Sequence, residues 1–550
     1  NPDGHTLALY DGLMQTEGIQ HVLFNDERTA AFAADAYARV TGTLGVCDAG
    51  AAGSMNFPIA LAEANGAASP VLAIIGVVKT HDILRNVPHD INVAETLAPV
   101  TKWTGRVVAP DQLPRFLSYA IRQAINGRPG SVALVVPEDV FNSTDVKMRE
   151  FVPEGGGACS INGCRVAPAE GEVDFAVKLL QQAKQPAFFT GGGAVLSEAF
   201  HEVDELSHML RAPVFTTISG KGILLAENDL HFGTVGLFGE KPNHAFLRTK
   251  ADLLVVVGNR LTEDDTAYFK IPPPRLRMIQ IDIDPAIIGL SYHPWGVVGD
   301  PKTALGQILD KLHSFGIVAG GETDAILQER EKNLEDLRAT HEKYREKDSA
   351  SWMASDPVKP QRVLQSISNV LSGGDFLVTD ASASARWIGA YFPVKSLGRK
   401  IITARGVGPT GFGLGGLIGT CIAAEDASAS KSGKPRKVLF TGDGGLMSGG
   451  LSDLETFQKL GLEGTIVVIN NNALGFVKFG QKMLYKGQVY DTDRPSTDFA
   501  RFAEVFGGTG STVEHLSQLD DTISEAVNGT GLQIVDVKVD PEELLPPNFY

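Results

Sequence analysis

Asp443 lies within Thr441-Gly442-Asp443-Gly444-Gly445, and Asn470-Asn471-Asn472 closes the next apolar run. Asp443 offers a hard carboxylate oxygen, and Asn470 or Asn471 offers a neutral amide oxygen. One carboxylate, one amide and a backbone carbonyl are too few to cage a metal alone. Mg²⁺ is held in this way when phosphate oxygens and water complete its octahedron. The N–H groups of Gly444, Gly445 and Leu446 fall at a helix entrance, which favours an anion. The pattern reads as a diphosphate bound through Mg²⁺. A lone Gly-Asp-Gly turn also closes ordinary βα units; the Asn triplet at the next strand end favours the chemical reading.

Glu27 is the second candidate. It follows Asn25-Asp26 at a corner between an apolar run and a helical stretch. Taken alone, such a glutamate satisfies the N–H groups and dipole of a helix start.

These residues need a frame that gathers them. The apolar run 438–440 reads as a buried parallel strand, 451–460 as a helix and 465–469 as the next strand, so the glycine turn sits at a strand's carboxyl end. The rhythm recurs through the chain. Residues 1–150 carry a strand at 19–24, a helix from 28 to 40 with a small-residue face, strands at 44–47, 71–75 and 131–136, and the turn 50–54. Residues 170–320 carry strands ending at Gly191, Val257 and Asp284. Residues 357–550 carry a strand at 375–379, the glycine segment 406–416 and the opening motif. This alternation predicts an α/β protein with three doubly wound domains and mostly parallel sheets. The Gly-rich stretch 151–169 reads as a linker, and the charged stretch 321–350 as a solvated connecting helix.

With 550 residues the chain exceeds one core. Its net charge of −16, with no basic run, argues against nucleic acid and anionic membrane surfaces. No apolar run reaches the length of a membrane span. Cys47, Cys159, Cys164 and Cys421 make no disulfide framework in a chain of this size, which fits a reducing, cytoplasmic setting, with an organelle matrix left open. Asn1-Pro2-Asp3-Gly4 reads as the loop after a first strand, so an incomplete N-terminus is expected.

The run from Gly442-Asp443-Gly444 to the Asn triplet resembles the GDG…NN signature of thiamine-diphosphate enzymes. The resemblance covers nearly the whole chain and is nearest to the acetolactate synthase and pyruvate oxidase branch. It implies a pyrimidine-binding, a central and a diphosphate-binding domain, with thiamine diphosphate and Mg²⁺ as cofactors. Asp26-Glu27-Arg28-Thr29-Ala30-Ala31 resembles the stretch that begins with the activating glutamate. Glu27 is thereby implied to bond N1′ of the aminopyrimidine, a role suited to a partly buried carboxyl with a raised pKa. The cofactor contacts implied are Gly53, Ser382, Ala383, Ser384, Gly408, Thr410, Gly442, Asp443, Gly444, Gly445, Leu446, Asn471, Leu474, Gly475 and Phe476. The metal ligands implied are Asp443, Asn471 and Ala473. His89 and Phe476 are implied at the substrate, and His81 is a second loop histidine.

Gly191-Gly192-Gly193, Gly258-Asn259-Arg260 and Asp282-Ile283-Asp284-Pro285 resemble the central domain of flavin-containing relatives, which leaves FAD open. The sequence also departs from the pattern. Thr410 replaces a bulky apolar residue. Asp264 stands where acetolactate synthases have an arginine for the second 2-oxo acid, and Gly480 where they have a tryptophan. The activity implied is cleavage or formation of a C–C bond next to a carbonyl: carboligation of a 2-oxo acid, its simple decarboxylation, 2-hydroxyacyl lysis, or flavin-dependent oxidation. The substrate class is a 2-oxo acid or related carbonyl compound, and the assembly a homodimer or homotetramer.

Overall fold

The computed structural model describes residues 1–144, 163–315, 324–427, 434–543 and 545. Cys159, part of the 151–169 linker and the expected first boundary at 150 lie outside these residues. Among the described residues there are three sheets, and all are parallel. The first holds β1 (Gly45–Gly50), β2 (Val71–Val77), β3 (Trp103–Arg106) and β4 (Ser131–Pro137) in the order β1-β2-β4-β3. The central sheet holds β5 (Pro186–Thr190), β6 (Val214–Thr216), β7 (His231–Thr234), β8 (Leu253–Val257), β9 (Arg277–Asp282) and β10 (Trp295–Val298), ordered β10-β9-β8-β5-β6-β7. The third holds β11 (Phe376–Thr379), β12 (Ile401–Thr403), β13 (Lys437–Gly442), β14 (Gly464–Asn470), β15 (Thr509–Val513) and β16 (Leu532–Lys538), ordered β12-β11-β13-β14-β16-β15. The three doubly wound α/β domains expected from the alternation are therefore present.

Alternation along each strand sorts side chains between two cores. On the central sheet Phe188, Val255 and Ile279 enter one core, and Phe189, Val256 and Met278 the other. The third sheet sends Leu439, Ile466 and Val468 into a core shared with Ala49, Ala73 and Ile75 of the first sheet. Two helices bring these domains together: Glu27–Thr41 and Phe412–Ala427. Their backbones approach closely because small residues face each other. A Cβ on Gly415 would lie 2.7 Å from the Thr29 carbonyl oxygen, and one on Gly419 2.1 Å from that of Ala33.

Three expectations need correction. Residues 19–24 form no strand. A strand exists only within a ladder, and no described strand pairs with this segment, which leaves Ile19 and Leu23 exposed. The charged stretch does form a helix, Asp324–Ser349, but it is docked rather than solvated. Arg330, Asn333, Leu334, Leu337 and His341 are buried. Arg330 donates to the carbonyls of Ala183, Lys184 and Leu210, and Glu240 accepts from Arg345 and bonds His341. The helical segment expected at 451–460 is divided into a 3-10 turn Leu451–Asp453 and the helix Leu454–Lys459, and a separate short helix, Asp443–Ser448, precedes it.

Candidate functional site

The third sheet reverses direction between β11 and β13: the chain runs outward from β11 to β12, then returns to β13 on the other side. In open α/β sheets ligands bind at the strands' carboxyl ends beside such a point. Asp443 leaves the end of β13, and Asn470 closes the neighbouring β14. Parallel register sets Gly442 opposite Ile469, so Asp443 and Asn470-Asn471 are neighbours in space. The short helix starts at Asp443, which brings the N–H groups of Gly444, Gly445 and Leu446 to its N-terminus.

Asp443 is 4% exposed, and its carboxylate lies 3.7 Å from Nε of Arg494. Burial pushes its pKa above the ordinary carboxylate value, against the Gly444 N–H and Arg494. A nearby cation would favour its charged form. Arg494 is held there by its own N–H, which donates to the Asn472 carbonyl at 2.7 Å, and by the bridge pairing Ala473 with Asp493.

The two asparagines divide. Asn470 is 2% exposed, and its amide donates to Asp536 at 2.9 Å and to the Thr497 carbonyl at 3.2 Å. Its side chain is committed to the sheet. Asn471 is half-buried and accepts from the Ala473 N–H at 3.1 Å, with its carbonyl's second lone pair still available. The Ala473 carbonyl accepts from Gly475 at 2.8 Å and likewise keeps a second lone pair. Gly475 packs closely on Asn471: a Cβ there would lie 2.6 Å from its Nδ2, so a larger residue would displace the Asn471 side chain. Leu474 is 40% exposed and lies over Gly444, and Phe476 lies under the Arg386 guanidinium at 4.1 Å.

Beside this group, Asp380 ends β11 with Ser382, Ala383 and Ser384 just beyond it. Ser382 holds φ at +69°, a strained value for a residue with a Cβ, and backbone strain of this kind clusters at ligand sites. The Ser384 hydroxyl donates to the carbonyls of Asp380 and Ala381, so it is spent on the local backbone. Asp380 is buried and accepts from the N–H groups of Ala381, Gly411 and Gly413. Burial pushes its carboxyl up to about 6. It fixes the glycine turn that holds Gly408 and the exposed Thr410. Sequence reasoning misses Asp380; its position at a strand end is the signal that could have found it. A donor set of one buried carboxylate, one amide and one carbonyl beside helix-start N–H groups fits Mg²⁺ carrying a diphosphate.

Glu27 opens its helix in the first domain, after the N-cap Asp26. Its carboxylate accepts from the Asn56 amide at 2.9 Å, and Gly53 leaves room for it, since a Cβ there would lie 2.7 Å from Oε1. The expected raised pKa is not found. Burial pushes the carboxyl up, but hydrogen bonds from Asn56 and Asn1 hold it below the ordinary glutamate value. The cleft at Glu27 is lined by Asn25, Asp26, Arg28, Met55, Asn56, Pro58 and Ile59, all of the first domain. Asp443 and the Asn triplet do not line this cleft within one chain.

His89 lies at the same sheet edge, exposed and with φ at +67°. Its ring meets that of His5 edge-on at 5.5 Å, and its Nδ1 is 3.9 Å from the Asp3 carboxylate. Nδ1 of His5 lies 3.0 Å from Glu138. Asp3, His5 and Glu138 carry no local sequence signal, because they meet only where β1, β2 and β4 end. His81 is exposed beside Asp82.

A cleft also lines the central domain, bounded by Gly191, Gly192, Gly193, Arg128, Arg260, Asp282, Arg399 and Arg405. Nη1 of Arg399 is buried there without a hydrogen-bond partner among the described residues. Asp264 is paired with Arg405 at 2.6 Å.

With this geometry in view, comparison with known proteins is specific. Residues 1–96 match the family described as thiamine pyrophosphate enzyme, N-terminal TPP binding domain. Residues 173–308 match its central domain, and 380–537 its C-terminal TPP binding domain. The chain is 28% identical over 554 residues to a probable acetolactate synthase large subunit of Methanococcus aeolicus, covering 99% of this chain and 89% of that one. It is 28% identical over 558 residues to the acetolactate synthase isozyme 3 large subunit of Escherichia coli K12, covering 99% and 92%. It is 29% identical over 559 residues to the acetolactate synthase large subunit of Cyanidium caldarium, covering 98% and 90%.

Proposed function

Because this chain belongs to the thiamine pyrophosphate enzymes, in their acetolactate synthase branch, we propose that it binds thiamine diphosphate through Mg²⁺ and acts on a 2-oxo acid or related carbonyl compound. The reaction is acetolactate-synthase-like decarboxylation and carboligation, which breaks or makes a C–C bond next to the carbonyl. The observation that carries this is the meeting of Asp443 and Asn471 at the ends of paired strands, beside helix-start N–H groups.

When bound, thiamine diphosphate would supply an electron sink for the pair left on the carbonyl carbon when its bond to the neighbouring carbon breaks. The protein's part is positioning and charge. Asp443, the Asn471 side chain and the Ala473 carbonyl would hold Mg²⁺. The N–H groups of Gly444, Gly445 and Leu446 would hold the diphosphate, with Gly442 opening the turn. Ser382 and Ala383 would line its other side, and Gly408 and Thr410 would flank the pyrimidine. Glu27 would hold the proton at N1′, and the low pKa of its open cleft would rise once a ligand excludes water from it. Leu474, Gly475 and Phe476 would wall the site, and His89 would face the substrate.

Glu27 and Asp443 do not share a cleft within one chain, so the complete site is built between two copies, as a homodimer or a homotetramer. Sedimentation of an active monomer would remove this part. The arginine-rich central cleft, where an Arg399 nitrogen has no hydrogen-bond partner among the described residues, fits an anionic dinucleotide such as FAD. A flavin absorption band in the purified protein is the expected sign.

A second reading has its own support. Asp264 and Arg405 neutralise each other, which withdraws that arginine from a second carboxylate substrate. This favours simple decarboxylation or 2-hydroxyacyl lysis over carboligation. The test is mass spectrometry of products from a panel of 2-oxo acids, with and without aldehydes, in the presence of thiamine diphosphate and Mg²⁺. An acetohydroxy acid or acyloin supports ligation, free aldehyde supports the second reading, and no product from any acid contradicts both.

A further inference from the structure

Glu63 belongs to the helix Pro58–Gly66 of the first domain, and its side chain is fully buried. It reaches into the third domain. Its carboxylate accepts from three successive backbone N–H groups: Gly406 at 2.7 Å, Val407 at 2.8 Å and Gly408 at 3.0 Å. Arg39 completes the arrangement. Its guanidinium donates to Glu63 at 3.0 Å, to the buried Asp35 on its own helix, and to the Thr403 carbonyl just before the turn. Gly406 fits against the Glu63 helix only without a side chain, since a Cβ there would lie 2.1 Å from the Glu63 carbonyl oxygen. Burial opposes the Glu63 charge, but Arg39 and the three N–H groups hold its pKa below the ordinary glutamate value.

A buried carboxylate is costly unless charges and donors surround it. Here every charge and donor comes from this one arrangement, and its effect falls on one exposed turn. Val407 is 57% exposed, and Gly408 takes φ at +72°. Glu63 takes the three N–H groups, and among the described residues no backbone N–H outside the regular helices and strands donates to the carbonyls of Gly406, Val407 or Gly408, so these oxygens remain as acceptors. Such a surface accepts hydrogen bonds and selects a donor, as an exocyclic amino group is.

We propose that Glu63 is a positioning residue: from the first domain it fixes the Gly406–Gly408 turn of the same chain so that the turn's carbonyls face the amino group of the bound pyrimidine. The proposal rests on the thiamine-diphosphate reading and deepens it. It assigns the first domain two carboxylates with different tasks, Glu27 toward a ligand and Glu63 toward the protein segment that grips it.

The test uses Glu63→Gln, with Glu63→Asp as the variant that keeps the charge for Arg39 if the first fails to fold. Two ligands are titrated in the presence of Mg²⁺: thiamine diphosphate, and inorganic pyrophosphate, which engages only the diphosphate side. Glu63→Gln should weaken thiamine diphosphate roughly ten-fold or more, the usual scale for a lost hydrogen bond to a charged group, and leave pyrophosphate within about two-fold. Glu63→Asp should fall between. Hydrogen exchange in the ligand-free protein should show the 406–408 amides protected in the wild type and exchanging faster in both variants. Equal weakening of both ligands would reduce Glu63 to general stability and overturn the proposal, as would unchanged exchange at 406–408. A wild type that binds neither ligand would overturn the thiamine reading itself, while the exchange result would still stand or fall on Glu63.

Discussion

Asn470 and Asn471 are adjacent in sequence and differ in task. Asn470 spends its amide on Asp536 and Thr497 inside the sheet, while Asn471 keeps acceptor capacity at the sheet's edge. Asn470→Ala should therefore cost about 2–3 kcal/mol of stability, because it leaves buried partners unsatisfied. Asn471→Ala should leave the denaturation midpoint nearly unchanged and weaken Mg²⁺-dependent thiamine diphosphate binding at least ~10-fold. Denaturant melts and calorimetric titration of both variants separate the two roles; a reversed pattern would move the metal ligand to Asn470. The sequence shows the triplet and Asp443 clearly, because glycine turns and strand ends leave a local trace. It does not show which asparagine is free, since Asp536 is far away in the chain. Asp380, Glu63 and the Asp3–His5–Glu138 group stay hidden for the same reason: their partners come from other strands or another domain.

The elements that gather these residues are set by close backbone contact as much as by apolar burial. Gly415 and Gly419 allow the helix Phe412–Ala427 to lie against the helix that starts at Glu27. Gly419→Ala would drive a methyl group into the Ala33 carbonyl, so it should cost ~1–3 kcal/mol as an overpacked contact. Thermal melts check the loss. Because the strain falls between the first and third domains, cofactor affinity should fall with stability; a variant as stable as wild type would mean the helices separate without cost. Apolar runs make most strands legible in the sequence. The segment 19–24 misleads because its composition suits a strand, whereas pairing depends on a neighbour that composition cannot supply. The helix Asp324–Ser349 misleads in the opposite sense, since Arg330 and His341 read as solvent-facing until their buried carbonyl and carboxylate partners are seen.

At the scale of the whole molecule, pH acts through groups far from the candidate site. Burial pushes His231 and His244 in the central domain down to about 4. Each stays neutral in the fold but takes a proton at about pH 6.5 once unfolded. Their contribution is thus fully present above pH 6.5 and is lost as pH falls toward 4. Between pH 7 and 5 each should remove roughly 1–2 kcal/mol of stability. Denaturant melts at these two pH values, repeated with His231→Gln and His244→Gln, should show a shallower dependence in the variants; equal slopes would mean these histidines already protonate within the fold. Glu27 lies in a cleft lined by first-domain residues alone, and on the proposed reading a second copy completes it, so activation of the cofactor joins residue, element and assembly in one observable. That observable is the rate of hydrogen–deuterium exchange at thiazolium C2 of bound thiamine diphosphate, measured in wild type and Glu27→Gln. Glu27→Gln should slow exchange by ~10²–10⁴-fold, while Asp443 and Asn471 keep the cofactor bound and the fold intact. Normal exchange in Glu27→Gln with cofactor fully bound would contradict it and return Glu27 to a helix-end carboxylate.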